Sequence, residues 1–133
     1  MSGKAVIGEL LLADDTLLAM LPPDSIKPGV LPLGVTLPAI GVSTVSGVDR
    51  NILKAGASKH RRNRVQVTVM AGSDEQKDEI LRQVRRACAD KVGDFAGVTA
   101  VSVLTDVEGP DFRDEKAGIY LQSQDFTVSY NQG

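Results

Sequence analysis

The chain has no tryptophan, one histidine and one cysteine among its 133 residues. A single Cys88 excludes an intrachain disulfide and the paired-cysteine spacings that hold zinc or run thiol exchange, and it suits a reducing compartment. His60 stands inside the run Lys59-His60-Arg61-Arg62-Asn63-Arg64, whose cations disfavour its protonated form, so it makes a poor catalytic base. Only five side chains are aromatic, and Tyr120, Phe126 and Tyr130 fall in one late segment, which leaves little for stacking nucleic-acid bases. The net charge of −2 lacks the cationic surplus that wrapping nucleic acid requires, so any basic partner surface is local. No long hydrophobic run exists either. The apolar stretch after Met1-Ser2-Gly3-Lys4 stops at Asp14, too short to span a bilayer and without a small-residue cleavage site, so neither an anchor nor a secretion signal is expected.

What remains is a globular composition, 42% hydrophobic and 24% charged. A chain of this length fits one domain that buries roughly two-thirds of its unfolded surface, and residues 1–133 are read as one domain. From Ala5 to Leu21, apolar residues recur at helical spacing (Ile7, Leu10, Leu11, Leu17, Leu18, Leu21). Asp14 and Asp15 interrupt the stripe and favour caps over helix interiors, which allows two short helices meeting there; Pro22-Pro23 stops the segment. Residues 24–38 carry Pro28, Pro32, Pro38, Gly29 and Gly34, so an extended surface arm is expected, apolar through Val30, Leu31 and Leu33. Lying on its own core is the favoured reading of that arm over meeting a partner.

Alternation then predicts a strand over 39–46 and a second carrying Val65, Val67 and Val69, joined by a long hairpin loop at 48–63. Ser73-Asp74-Glu75-Gln76 reads as a capping box, and the helix that follows places Ile80, Val84, Ala87 and Cys88 on one face, pairs Asp78 with Arg82, and ends at Gly93. The β-branched stretch 98–105 predicts a third strand and 117–130 a fourth, separated by an acidic connection at 106–116. In the fourth, Ile119 and Leu121 share one parity while Phe126, Val128 and Tyr130 share the other, which predicts a bulge near Ser123 or a strand buried on both faces. The expected fold class is α+β in two layers, a four-stranded sheet with two main helices on one face, in the order α-β-β-α-β-β.

Chemistry is hard to find. Cys88 on an apolar helix face reads as a small hydrophobe, and no glycine-rich loop has the strand, helix and lysine of a phosphate cradle. The acids Asp106, Glu108, Asp111, Asp114 and Glu115 lack the spacing of a calcium loop and read as a solvated connection. No catalytic residue, metal or cofactor is therefore assigned. The basic run Lys59, Arg61, Arg62 and Arg64 admits a solvated hairpin, a nucleic-acid contact or a contact to an acidic protein surface. With the acidic connection it gives one chain two complementary patches, able to meet on neighbours in a head-to-tail ring. Together with Val30, Leu31 and Leu33, these side chains are the candidate subunit or partner contacts.

Several stretches resemble a known family. The run VIGELLLADDTLLAML from Val6 to Leu21 is similar to the Leu/Ala-rich, Asp-broken opening helix of the tail terminator, or tail completion, proteins of long-tailed bacteriophages. The run Leu37-Pro38-Ala39-Ile40-Gly41-Val42 resembles that family's approach to its first strand, with Ala39 where an aromatic is usual. The strand from Arg64 to Ala71 leading into the helix that closes at Cys88, and the stretch from Gly118 to Tyr130, resemble its centre and its terminal strand. The resemblance implies a non-enzymatic virion protein at the head–tail neck, assembled in the host cytoplasm. It further implies a hexameric ring that caps the head-proximal end of the tail tube, ends tube growth and joins the head connector. Its partners would be other copies of itself, the tail tube protein and a connector or head-completion protein, with DNA passing through without sequence-specific binding and no membrane. The competing expectation is a small nucleic-acid-binding α+β module that uses residues 59–64.

Overall fold

A computed structural model of the chain describes residues 3–29, 31, 35–50, 59–95 and 98–132. The opening segment is two helices, α1 (Gly3–Leu12) and α2 (Asp15–Leu18). Asp14 caps the second, accepting a 3.3 Å hydrogen bond from the Thr16 amide, so the acidic pair divides the apolar stripe without ending its burial. Val6, Ile7, Leu10, Leu11, Leu17 and Leu21 are buried. Helix α3 (Asp74–Cys88) starts on Ser73, whose hydroxyl accepts from the Gln76 amide at 3.2 Å. The return bond of the capping box lands one residue upstream, from the Gly72 amide to Gln76 Oε1 at 3.4 Å. The helix ends at Cys88 rather than at Gly93, because Asp90 takes a left-handed conformation (φ 59°) that a short polar side chain tolerates. The chain then leaves as a strand.

Among the described residues seven strands form one sheet, where four were expected. The four expected strands are there as β2 (Ala39–Arg50), β3 (Lys59–Ala71), β5 (Val98–Glu108) and β7 (Ile119–Gln132). Three short ones join them: β1 (Ile26–Pro28), β4 (Val92–Phe95) and β6 (Phe112–Asp114). The order across the sheet is β1-β2-β3-β7-β5-β4, with β6 also on β7. All pairings are antiparallel except β1 with β2. The extra strands sit in the arm, at the expected helix end and in the acidic connection, where three or four residues containing Pro28, Gly93 or Arg113-Asp114 show no alternation to detect. The connection at 48–63 shrinks correspondingly, with β2 running to Arg50 and β3 starting at Lys59.

Helices α1 and α3 pack on one face of the sheet. That face carries Ile40 and Val42 from β2, Val65, Val67 and Val69 from β3, Phe126, Val128 and Tyr130 from β7, and Val101 and Val103 from β5. The expected bulge in the last strand is absent where β7 meets β3: their pairing runs unbroken from Lys59↔Gln132 to Ala71↔Tyr120. The core parity of β7 is even throughout, and Gln122 and Gln124 occupy the two positions where apolar residues would have shown it. The irregularity lies instead in β5, where one extra residue sits between the pairs Thr105↔Phe126 and Glu108↔Gln124. The two buried glutamines repair it. Gln124 Nε2 donates to the Asp106 carbonyl at 3.3 Å, and Gln122 Nε2 donates to the Gly109 carbonyl at 2.9 Å.

Candidate functional site

The polar interior holds the layers together. Asn63 on β3 is buried beneath the start of α1, and its Oδ1 accepts from the Gly3 amide and the Tyr130 hydroxyl, each at 2.8 Å. It satisfies one of the orphan amides at a helix start, which otherwise needs a capping side chain. Lys77, on the core side of α3, is only 1% exposed. Its ammonium contacts Asp74 (3.1 Å), Asp78 (3.2 Å) and Asp111. These three carboxylates lie close enough to hold a cation, and the Lys77 ammonium already supplies that charge. Asp78, expected to reach Arg82, thus faces Lys77. Asp111 comes from the β5–β6 connection, so the cluster fastens that connection to α3.

The other acids of the connection are exposed and also make intrachain contacts. Asp106 accepts from the Thr127 hydroxyl at 2.9 Å, Glu108 accepts from Gln122 Nε2 at 3.1 Å and lies 3.7 Å from Arg85, Asp114 accepts from the Ala117 amide, and Glu115 lies 3.7 Å from Arg113. The basic run is part of a central strand, not a hairpin tip. Strand alternation divides it: Asn63 faces the core, whereas Arg62 and Arg64 belong to the opposite parity. Arg64 is bound to Asp125, with Nε donating at 2.8 Å, on the sheet face away from the helices. Lys59 is the first residue of β3. Across β7, register sets Arg64 level with Leu104, just before the acidic end of β5, whereas His60 is level with Thr99, so only the Arg64 end of the basic run approaches the acids.

Of the apolar arm, Ile26 packs against the core and β1 runs parallel to β2; Val30 and Leu33 lie outside the described residues. Leu31 is half-buried over Gly41, where an added Cβ would stand 3.0 Å from Leu31 Cγ and 2.8 Å from the Gly29 carbonyl oxygen. The described part of the arm therefore does lie on its own sheet. Between α1 and this edge runs an open groove of about 640 Å3, with Ala5, Gly8, Leu12, Ile26, Pro28 and Val42 along it and Lys4, Lys27 and Glu9 at its rim. Sequence reasoning missed this groove, because its walls come from a helix face and a strand that was read as a loop.

Cys88 is buried and its thiol is pushed up to about 12, first by burial, then by the charge of Asp14, with Lys91 opposing. That thiol is inert at neutral pH.

This layout, one sheet backed by helices, is a fold shared with a chain of a solved virion particle. A solved structure of the virion of a native gene transfer agent particle contains a chain that superposes with a TM-score of 0.71 at 15% identity, covering 98% of this chain and 95% of that one. A second solved structure superposes at 0.57 and 12% identity, with 98% and 95% covered. No curated protein sequence matches the chain. The family model for tail completion protein gp17 matches residues 5–131, and the chain belongs to that family. It is a structural protein of the virion, associated with the tail.

Proposed function

We propose that the protein caps the head-proximal end of the phage tail tube as a ring of identical subunits, hexameric by family resemblance, ending tube growth and presenting a joint to the head connector. The observation that carries this reading is the family match across nearly the whole chain. The sheet supports it: two dissimilar edges, a lysine-rimmed groove at β1 and an acidic connection at β5 and β6, are what a closing head-to-tail contact needs. The subunit and partner contacts are assigned to the Lys59–Arg64 segment with Arg61 and Arg62, to Asp106, Glu108, Asp111, Asp114 and Glu115, and to the arm with Val30, Leu31 and Leu33. Partners are other copies of the chain, the tail tube protein and the connector, and DNA passes through the channel without being read. The work is done by binding geometry.

The nucleic-acid reading gains nothing from the structure, since the basic run is divided between two faces and Arg64 is held by Asp125. The test is electron microscopy of purified protein mixed with tail tubes. Rings at one tube end, weakening as salt rises, are expected. A strictly monomeric protein that leaves tube ends bare overturns the reading.

A further inference from the structure

Phe112 is an oddity: the residue is 57% exposed, in a chain that buries Phe126 and Tyr130 completely. It opposes Leu121 on β7, which belongs to the parity facing away from the helices, and Leu104 stands exposed on that same face. The connection that carries it is acidic, with Asp106, Glu108, Asp111, Asp114 and Glu115 against Arg113 and Lys116, and Asp111 is already held by Lys77. The α1–β1 groove has the complementary character, apolar along its length and rimmed by Lys4 and Lys27 against the single acid Glu9.

Register fixes where the two lie. Ile26 pairs with Ile40, Ile40 with Val69 and Val69 with Gln122, while Phe112 pairs with Leu121, so groove and ring sit one row apart at the same end of the sheet. They are on opposite edges, four strand spacings or roughly 19 Å apart, too far for one chain to fill its own groove. They are also on opposite faces, the groove towards the helices and Phe112 away from them.

We propose that Phe112 of one copy seats in the α1–β1 groove of the next, with the acids of its connection meeting Lys4 and Lys27, so that successive subunits overlap like tiles. This rests on the ring reading and specifies which surfaces join. A contact of different surfaces on opposite edges propagates head to tail and closes when the rotation allows, whereas a self-complementary patch would stop at a dimer. An exposed aromatic entering an apolar pocket within a charged rim is the usual composition of an interface hot spot.

The test uses thiol pairing on assembled tube ends. Gly8 lines the groove and an added Cβ there meets nothing within 4 Å, so Gly8→Cys is sterically free; Arg113→Cys puts a thiol on an exposed side chain beside Phe112 and leaves that ring in place; Cys88 is buried and gives no background. A chain carrying both changes is expected to give a ladder of covalent multimers with a short bis-maleimide, and a mixture of the two single variants only dimers. Phe112→Ala is expected to weaken occupancy of tube ends at least about tenfold while leaving the folded monomer intact. Rings that form in the doubly substituted chain without any linkage between the two introduced thiols, or Arg113→Cys linking to itself, overturn the pairing and leave the ring standing. Bare tube ends with unaltered protein overturn the ring reading, and the pairing with it.

Discussion

Replacing Lys77 with Met tests whether the buried ammonium organises the acids around it. The substitution keeps an unbranched apolar stem in the core and deletes only the charge. At the observed 3.1–3.2 Å, each of the Asp74 and Asp78 contacts has a gross attraction of about 5 kcal/mol at an effective dielectric of 20. Most of it is offset, because burying the ammonium costs several kcal/mol and the three carboxylates are more than half exposed to screening water. The net loss for Lys77→Met is then about 1–3 kcal/mol, from three like charges left close together. Urea unfolding at pH 7 measures it. Emptied of its ammonium, the cluster should also bind a divalent cation weakly. For a dissociation constant near 1 mM, 10 mM calcium would restore about 1.4 kcal/mol to the variant. The unaltered protein should not respond. An unchanged urea midpoint in the variant, or equal stabilisation of both proteins by calcium, would refute the assignment of Lys77 as the resident cation.

Asn63→Ala removes the buried acceptor of the Gly3 amide and of a Tyr130 hydroxyl bond, so a loss of about 1–3 kcal/mol is expected, read by thermal unfolding, with the start of α1 losing amide protection first. Gly41→Ala forces a Cβ to within 2.8 Å of the Gly29 carbonyl oxygen. The strained β1 edge should shift or detach at a cost of about 1–3 kcal/mol, and hydrogen exchange at the Gly29 amide, now bonded to the Val42 carbonyl at 2.7 Å, should rise sharply. Unchanged exchange there would count against the packing of the arm. Cys88 should resist thiol reagents at pH 8 until the protein unfolds. Its pKa is raised in the folded state, so from about 9 to about 12 only the unfolded thiol ionises and stability falls as pH rises, by up to about 4 kcal/mol. The same titration of Cys88→Ala should lack that part of the slope.

Much of this molecule was legible in the residues. Asp14 between two apolar runs marks the division of α1 from α2, Ser73 marks the start of α3, and the alternating valines of β3 mark the central strand, because caps and periodicity are local properties written in adjacent positions. The family resemblance came from the same stretches, taken in order. The short strands β1, β4 and β6 were not legible, since three or four residues become a strand only when a neighbour supplies the ladder. Gln122 and Gln124 misled for a related reason: buried amides look like surface residues until the bulged carbonyls of β5 are placed beside them.

The sequence by itself determined where helices and long strands begin, which faces are apolar, and that the chain belongs with the tail completion proteins. Only the tertiary structure decided that β7 inserts between β3 and β5, that Lys77 gathers acids from two segments, and that Phe112 and the α1–β1 groove stand level on opposite edges. Local preference follows from nearest neighbours along the chain. An edge, a groove or a charge cluster follows from long-range pairing, and many pairings satisfy the same local pattern.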